Sequence, residues 1–443
     1  MANAKVFLWS LVVALGGFLF GFDTAVISGA EKDIQSYWDL DVFAHGLTVS
    51  IALIGTVLGA LLGGIPSDRL GRKKTLFWIG VLYFVSAVGS AVTTGWGAFL
   101  FFRLIGGFGV GASSVTAPLY ISEIAPAGSR GKLVAMFQFN VVFGILVSYL
   151  SNYLLSGIGD NDWRWMLGVE AIPALVFLLA VLVVPESPRW LIVKRGKIEE
   201  ARAVLALANP PGTNVDGIVA DIVQSAQQAG NARKTAFFSR PYFRPISLAF
   251  LFAFFNQVSG INAIIYYAPR IFELAGLTES AALLSSSGIG LVNLVSTLVG
   301  LNFIDRVGRR TLMLIGSVGL IATLGLVAYA FYSGQTGYAV PVYLFLYIAF
   351  FAFSQGAVIW VFISEIFPNE VRADGQSLGS FTHWFMAAVI AFTFPYVAET
   401  LGGGNTFLFF CGMMVLQLLF VWRMMPETKG TSLEQIGRDV VMQ

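Results

Sequence analysis

The chain has a single cysteine, Cys411, and only two histidines, His45 and His383, among its 443 residues. One cysteine forms no intrachain disulfide, and two histidines this far apart in sequence offer no ligand set for a metal ion. Charge is equally scarce. Asp, Glu, Lys and Arg make up 12% of the chain, against roughly 25% in soluble domains. The net charge of +2 says nothing about partners. No feature calls for nucleic acid, ATP, a cofactor or an enzymatic reaction.

Apolar residues take the place of the missing charge, at 56% of the sequence. Runs of about 20 residues, enough to cross a roughly 30 Å hydrocarbon core, recur at 6–29, 46–66, 75–94, 98–120, 132–156, 165–184, 245–269, 281–303, 312–332, 340–363, 376–397 and 405–424. This pattern predicts an all-α membrane protein of twelve transmembrane helices in a lipid bilayer. The first run follows Lys5 with no small-x-small cleavage site, so we expect a retained span rather than a removed signal peptide. Most Lys and Arg fall on the side shared by both termini, whereas the opposite loops carry only Lys32, Arg164 and Arg270. The positive-inside bias therefore predicts cytoplasmic termini and a multi-pass protein of the cytoplasmic (inner) membrane.

The sequence repeats itself. "DRLGRKK" (68–74) returns as "DRVGRR" (305–310), "SEIAPAGSRG" (122–131) as "SEIFPNEVRADG" (364–375), and "PESP" (185–188) as "PETKG" (426–430). The expected organisation is two pseudo-symmetric six-helix halves, 1–185 and 244–425. A cytoplasmic linker with short helices, 186–243, joins them, and a cytoplasmic tail, 426–443, follows. A parallel repeat of this kind, with a central substrate site between rocking halves, is an established transporter architecture.

Two sets of residues conflict with hydrocarbon and ask for a function. Asp23 lies inside the first run, in "GFLFGFDTAVISGA", where an ionised carboxylate costs at least a few kcal/mol. Arg103, in the fourth run, is its natural partner. A polar residue capping or kinking a helix is the plainer alternative. The second set comprises Gln138, Asn256, Gln257, Asn262, Asn293, Trp360, His383 and Trp384. Amides donate and accept without net charge, and indoles offer flat apolar area, as a neutral polyol requires. Interhelical hydrogen bonding is their alternative role.

The ordered motifs "GFDTAVISG", "RLIGGFGVG", "PESPRWL", "QVSGINAIIYYAP" and "PETKG" together resemble the sugar porter family of the major facilitator superfamily, and specifically its bacterial proton-coupled xylose- and glucose-type members. The resemblance implies proton-coupled symport of a neutral hexose or pentose by a functional monomer. A facilitative uniporter or a myo-inositol transporter is the alternative; a sugar sensor and a drug–proton antiporter are further classes. It implies that Asp23 carries the proton, with Arg103 and Glu170 tuning it. It also implies that Gln138, Gln257, Asn262, Asn293 and Trp360 contact sugar.

This chain departs from the family at Asn256, at His383 and in "QGAVIW" (355–360), which lacks the usual prolines. Gln257 and Asn262 would not share a face of a regular helix, so a break near Gly260 is expected. Tyr266 and Tyr267 are expected in an extracellular gate, with core packing as the alternative. The repeated charges form two expected sets of ion pairs, a cytoplasmic latch. These are Asp68, Arg72, Glu123, Arg130 and Glu186 in one half, and Asp305, Arg309, Glu365, Arg372 and Glu427 in the other.

Overall fold

The computed structural model describes residues 4–126, 129–231, 236–368 and 370–430, and every regular element among them is a helix. In chain order these are α1 (Ala4–Tyr37), α2 (Val42–Leu62), α3 (Gly64–Leu70), α4 (Arg72–Val92), α5 (Trp96–Ile124), α6 (Arg130–Leu155), α7 (Asp162–Gly168), α8 (Ala171–Val181), α9 (Pro188–Arg195), α10 (Ile198–Ala208), α11 (Val215–Asn231), α12 (Phe243–Val258), α13 (Ile261–Leu274), α14 (Glu279–Val307), α15 (Arg309–Tyr332), α16 (Ala339–Phe351), α17 (Ala357–Glu365) and α18 (Arg372–Arg423). Parts of the two "SEI" repeats (127–128 in the first and 369 in the second) and most of the expected tail (431–443) lie outside the described residues.

Eleven of the described helical stretches are long and apolar enough to span a membrane. The last is 52 residues long, about 78 Å at 1.5 Å per residue, far more than one crossing needs. Gly402 divides it with φ 76° and ψ 161°, a conformation open essentially to glycine alone. The expected eleventh and twelfth spans are therefore one hydrogen-bonded helical run with a glycine break.

Other breaks have equally local causes. Pro173 has no N–H for the carbonyl of Val169, and the sixth span is interrupted there, between α7 and α8, with Glu170 in the turn. Gly260 adopts φ 88° and separates α12 from α13. Between α16 and α17 the chain winds into a π-helical turn, Ala352–Gly356, which overlaps the start of "QGAVIW" at Gln355 and Gly356. Such turns recur at functional positions in helices.

The chain divides into two compact units. The first gathers the described residues of Met1–Thr24, Ile54–Ile145 and Arg164–Lys234; the second gathers those of Ala25–Leu53, Leu146–Trp163 and Thr235–Gln443. In the first, Val13, Leu19, Tyr83, Val110, Tyr120 and Phe177 belong to one buried apolar cluster. Gly55, Gly59 and Gly111 bring α2 against α5, backbone to backbone, where any Cβ would collide. Small residues allow this close packing where lipid supplies no hydrophobic drive. The linker helices α9 to α11 have their own small core around Trp190, Leu191, Leu205 and Val219.

Candidate functional site

The first unit holds a buried ion pair. Arg103 Nη1 donates to Asp23 Oδ1, and Nη2 reaches the Asp23 carbonyl at 3.4 Å. Asp23 is 3% exposed and Arg103 2%. Glu170 interacts with both groups and is buried, and its Oε1 has no hydrogen-bond partner among the described residues. One guanidinium thus faces two carboxyl groups. The helix break at Pro173 places Glu170 there, and Gly106 beside the pair packs against Ser86, whose Oγ a Cβ would meet at 2.2 Å. Gln138, in α6 of the same unit, is half-buried and makes no hydrogen bond among the described residues.

The second unit gathers most of the amides. Gln257 Nε2 donates to Asn256 Oδ1 at 2.9 Å and lies 3.1 Å from His383 Nδ1; Asn262 Nδ2 donates to Gln257 Oε1 at 2.6 Å. The left-handed turn at Gly260 brings Gln257 and Asn262 together. Trp360 and Trp384 flank the imidazole, with ring centroids 5.0 Å and 4.8 Å from it. Asn256 Nδ2 is buried and has no hydrogen-bond partner among the described residues, while Trp360 is 37% exposed. Asn293 is not part of this hydrogen-bonded group; its Oδ1 accepts from Thr297 at 3.4 Å.

At the end of this unit marked by the Tyr37–Val42 turn, α13 is held at several points. Tyr267 is the kink residue (φ −124°, ψ 20°), and its hydroxyl donates to the Ala391 carbonyl at 2.9 Å. Tyr266 is buried. Tyr149 donates to the Ile265 carbonyl at 2.6 Å. Arg270 reaches Glu31 and Gln35, and His45 lies against both Arg270 and Glu31. The sequence marked Tyr266 and Tyr267 but gave no sign of Tyr149. It presented Glu31, His45 and Arg270 only as separate polar residues.

The repeats build the same device twice, once in each unit. Arg72 grips Glu123 through Nε and Nη2 at 2.9 and 3.1 Å, and Asp68 through Nη1 at 3.1 Å. Arg309 grips Glu365 at 3.1 and 2.7 Å and Asp305 at 2.9 Å. Four expected ion-pair members behave differently. Glu186 accepts the backbone N–H groups of Arg72 and Lys73, and Glu427 those of Arg309 and Arg310. They cap the free N–H groups that begin α4 and α15, where a carboxylate also opposes the helix dipole. Arg372 donates to the Phe367 carbonyl, and Arg130 is exposed with no partner among the described residues. Burial pushes the Glu186 carboxyl above its usual range, against the backbone donors of Ser187, Lys73 and Arg72 that pull it back.

The sequence reading missed Ser187 and Thr428. Each donates its hydroxyl to the gripped glutamate, Glu123 or Glu365, at 2.6 Å. The clue was the shared Pro-Glu-Ser/Thr of the two repeats.

Interrupted membrane helices, an intramembrane ion pair and an uncharged amide and aromatic group define a membrane transporter of the major facilitator fold. The chain belongs to the sugar (and other) transporter family, whose model matches residues 9–440. It is 36% identical over 475 residues to the D-xylose-proton symporter of Escherichia coli, covering 98% of this chain and 95% of that one. It is also 36% identical over 460 residues to the glucose transport protein of Synechocystis, covering 98% of each. The solved inward open conformation of the E. coli xylose transporter matches with a TM-score of 0.87 and 34% identity, over 98% of this chain and 99% of that one.

Proposed function

We propose that this chain moves a neutral monosaccharide, a hexose or pentose, across the cytoplasmic membrane together with a proton, by alternating access. The observation that carries this reading is the buried Asp23–Arg103 pair beside Glu170. While the guanidinium is in place the carboxylate is compensated. Once a conformational change draws it away, an uncompensated buried charge is costly and the carboxylate takes up a proton. Protonation then depends on conformation, as coupling requires. Relatives described as D-xylose-proton and arabinose-proton symporters support the same reading.

The sugar belongs among Gln257, Asn256, Asn262, His383, Trp360 and Trp384, with Asn293 and Gln138 completing its contacts. This group offers hydrogen bonds without a formal counter-charge, which suits hydroxyls and disfavours anions. The halves 1–185 and 244–425 are the moving bodies, 186–243 links them, and the residues from 426 form the tail. The termini are cytoplasmic, the Tyr37–Val42 end is extracellular, and the monomer in its bilayer is the transport unit. One proton supplies about 1.4 kcal/mol per pH unit and about 2.3 kcal/mol per 100 mV, so no ATP is needed.

The test uses proteoliposomes with no imposed gradient, recording internal pH while xylose, glucose, galactose or myo-inositol is added outside. We expect one of these sugars to acidify the lumen through the wild type, and Asp23→Asn to exchange that sugar without acidification. Sugar uptake by the wild type with no acidification would make the protein a uniporter.

A further inference from the structure

The polar cluster at the Tyr37–Val42 end has no part in the scheme above. Glu31 of α1, His45 of α2 and Arg270 of α13 meet there. His45 Nε2 stands 2.7 Å from Glu31 Oε2 and 3.0 Å from Arg270 Nη1, and Arg270 Nη1 is 3.1 Å from the same carboxylate oxygen. Arg270 Nη2 continues to Gln35 Oε1 at 3.0 Å. Glu31 is 2% exposed and His45 0%. The imidazole also meets the Tyr267 ring, with centroids 6.1 Å apart, and Asp41, just before α2, is occupied by the Ala44 N–H. From α18 the neighbouring group is the carbonyl of Phe392, against Gly46. A separate exposed pair, Lys32–Glu273 at 2.8 Å, also joins α1 to α13.

A 2.7 Å contact between nitrogen and a carboxylate oxygen needs one hydrogen between them, so Nε2 donates to Glu31. Nδ1 is buried and has no partner among the described residues. A neutral imidazole fits this arrangement with its one N–H satisfied. A second proton on Nδ1 would create a buried donor without an acceptor. It would also place a second cation against Arg270, with one carboxylate to serve both.

We propose that His45, held between Glu31 and Arg270, is a second proton-binding site, separate from Asp23, and that filling it releases α13 and opens this end of the transporter. Arg270 follows the kink at Tyr267 and the helix-breaking Pro269, so the segment that carries it has a hinge on which to move away. External acid therefore favours the outward-open form, in which proton and sugar load. The assignment rests on the extracellular orientation proposed above.

The experiment reads opening directly, without sugar or coupling. Ser28 is buried under α13, lining a small cleft with Pro269 and Arg270. In a Cys411→Ser background, Ser28→Cys is labelled in proteoliposomes with a membrane-impermeant thiol reagent at pH 8.0 and 5.5. Rates are normalised to the same thiol in denatured protein. We expect normalised labelling to rise at least fivefold on acidification, and the rise to persist with Asp23→Asn. His45→Gln, whose amide can still donate to Glu31, keeps labelling low at both pH values. Glu31→Gln removes the shared acceptor and makes it high at both, so the idea stays testable should one variant fail to fold. Flat labelling in the parent protein, an undiminished rise in His45→Gln, or loss of the rise with Asp23→Asn would overturn the site. Failure of sugar-driven acidification with an acid-opened thiol would instead remove only the symport reading.

Discussion

Tyr149 donates its phenolic hydrogen to the carbonyl of Ile265, at 2.6 Å. Ile265 stands four residues before Pro269, so this is the carbonyl that the proline leaves without an intrahelical N–H. A residue of α6 thus satisfies the acceptor that a proline orphaned in α13. The bond is buried, and such a bond contributes about 1 kcal/mol. Tyr149→Phe keeps the ring and loses only this bond. Backbone amide exchange over 261–274 should then accelerate roughly fivefold, read by mass spectrometry. Unchanged exchange there would mean that packing alone holds α13.

Gly260 sets the relation of Gln257 to Asn262. Its φ of 88° is unfavourable for any residue with a Cβ, and the Cβ of an alanine would come within 2.6 Å of Phe410 Cδ2. Left-handed strain alone costs about 1–2 kcal/mol. Gly260→Ala should lower Tm by several degrees and weaken sugar binding at least tenfold by calorimetry. Retained affinity would separate the turn from the amide group.

Arg103 compensates two carboxyl groups. Removing one partner of a buried ion pair costs about 3–5 kcal/mol, so Arg103→Ala should be markedly less stable than wild type. Asp23→Asn in the same background should recover much of the difference. Thermal unfolding of the wild type, Arg103→Ala and the double variant provides the comparison; no recovery in the double variant would assign Arg103 a packing role only.

Glu186 gives a pH dependence of known sign. Its carboxyl is raised by burial, so the folded state holds the proton more tightly than the unfolded chain. The stability this contributes is full below the unfolded value, near pH 4.5, and is lost as pH rises through the folded one. Glu186→Gln removes the titration while keeping one acceptor for the α4 N–H groups. Its Tm should therefore fall less steeply than that of wild type just above pH 4.5. Parallel profiles would show that another group sets the slope.

Arg309 is held by Glu365 and Asp305 and does not contribute as an isolated surface charge. Single exposed pairs are worth about 0–1 kcal/mol, but a network biases two states by a few kcal/mol and shifts populations tenfold or more. Arg309→Gln and Glu123→Gln should stay folded, shift the protein toward the inward-facing form and slow net transport. Accessibility of cytoplasmic-side cysteines together with initial uptake rates measures both. If neither changes, the repeats serve topology alone.

Much was legible without coordinates because bilayers impose length and polarity on every span. Twelve apolar runs, the repeated charge motifs and Asp23 in hydrocarbon are one-dimensional facts, and they were enough to reach a two-half membrane transporter. Gly260 was legible too, because two residues five apart cannot share a helical face without a break. The hydrogen-bond partners were not. That Glu186 and Glu427 cap helix starts while Glu123 and Glu365 grip guanidiniums depends on where each carboxylate lies relative to free N–H groups. Nothing in the sequence separates those cases. Tyr149 reads as one more aromatic in an apolar run, and His45 as a stray polar residue near a turn. Their contacts are with groups distant in sequence, the proline-orphaned Ile265 carbonyl for Tyr149 and the Arg270 guanidinium for His45, which only folding brings within bonding distance.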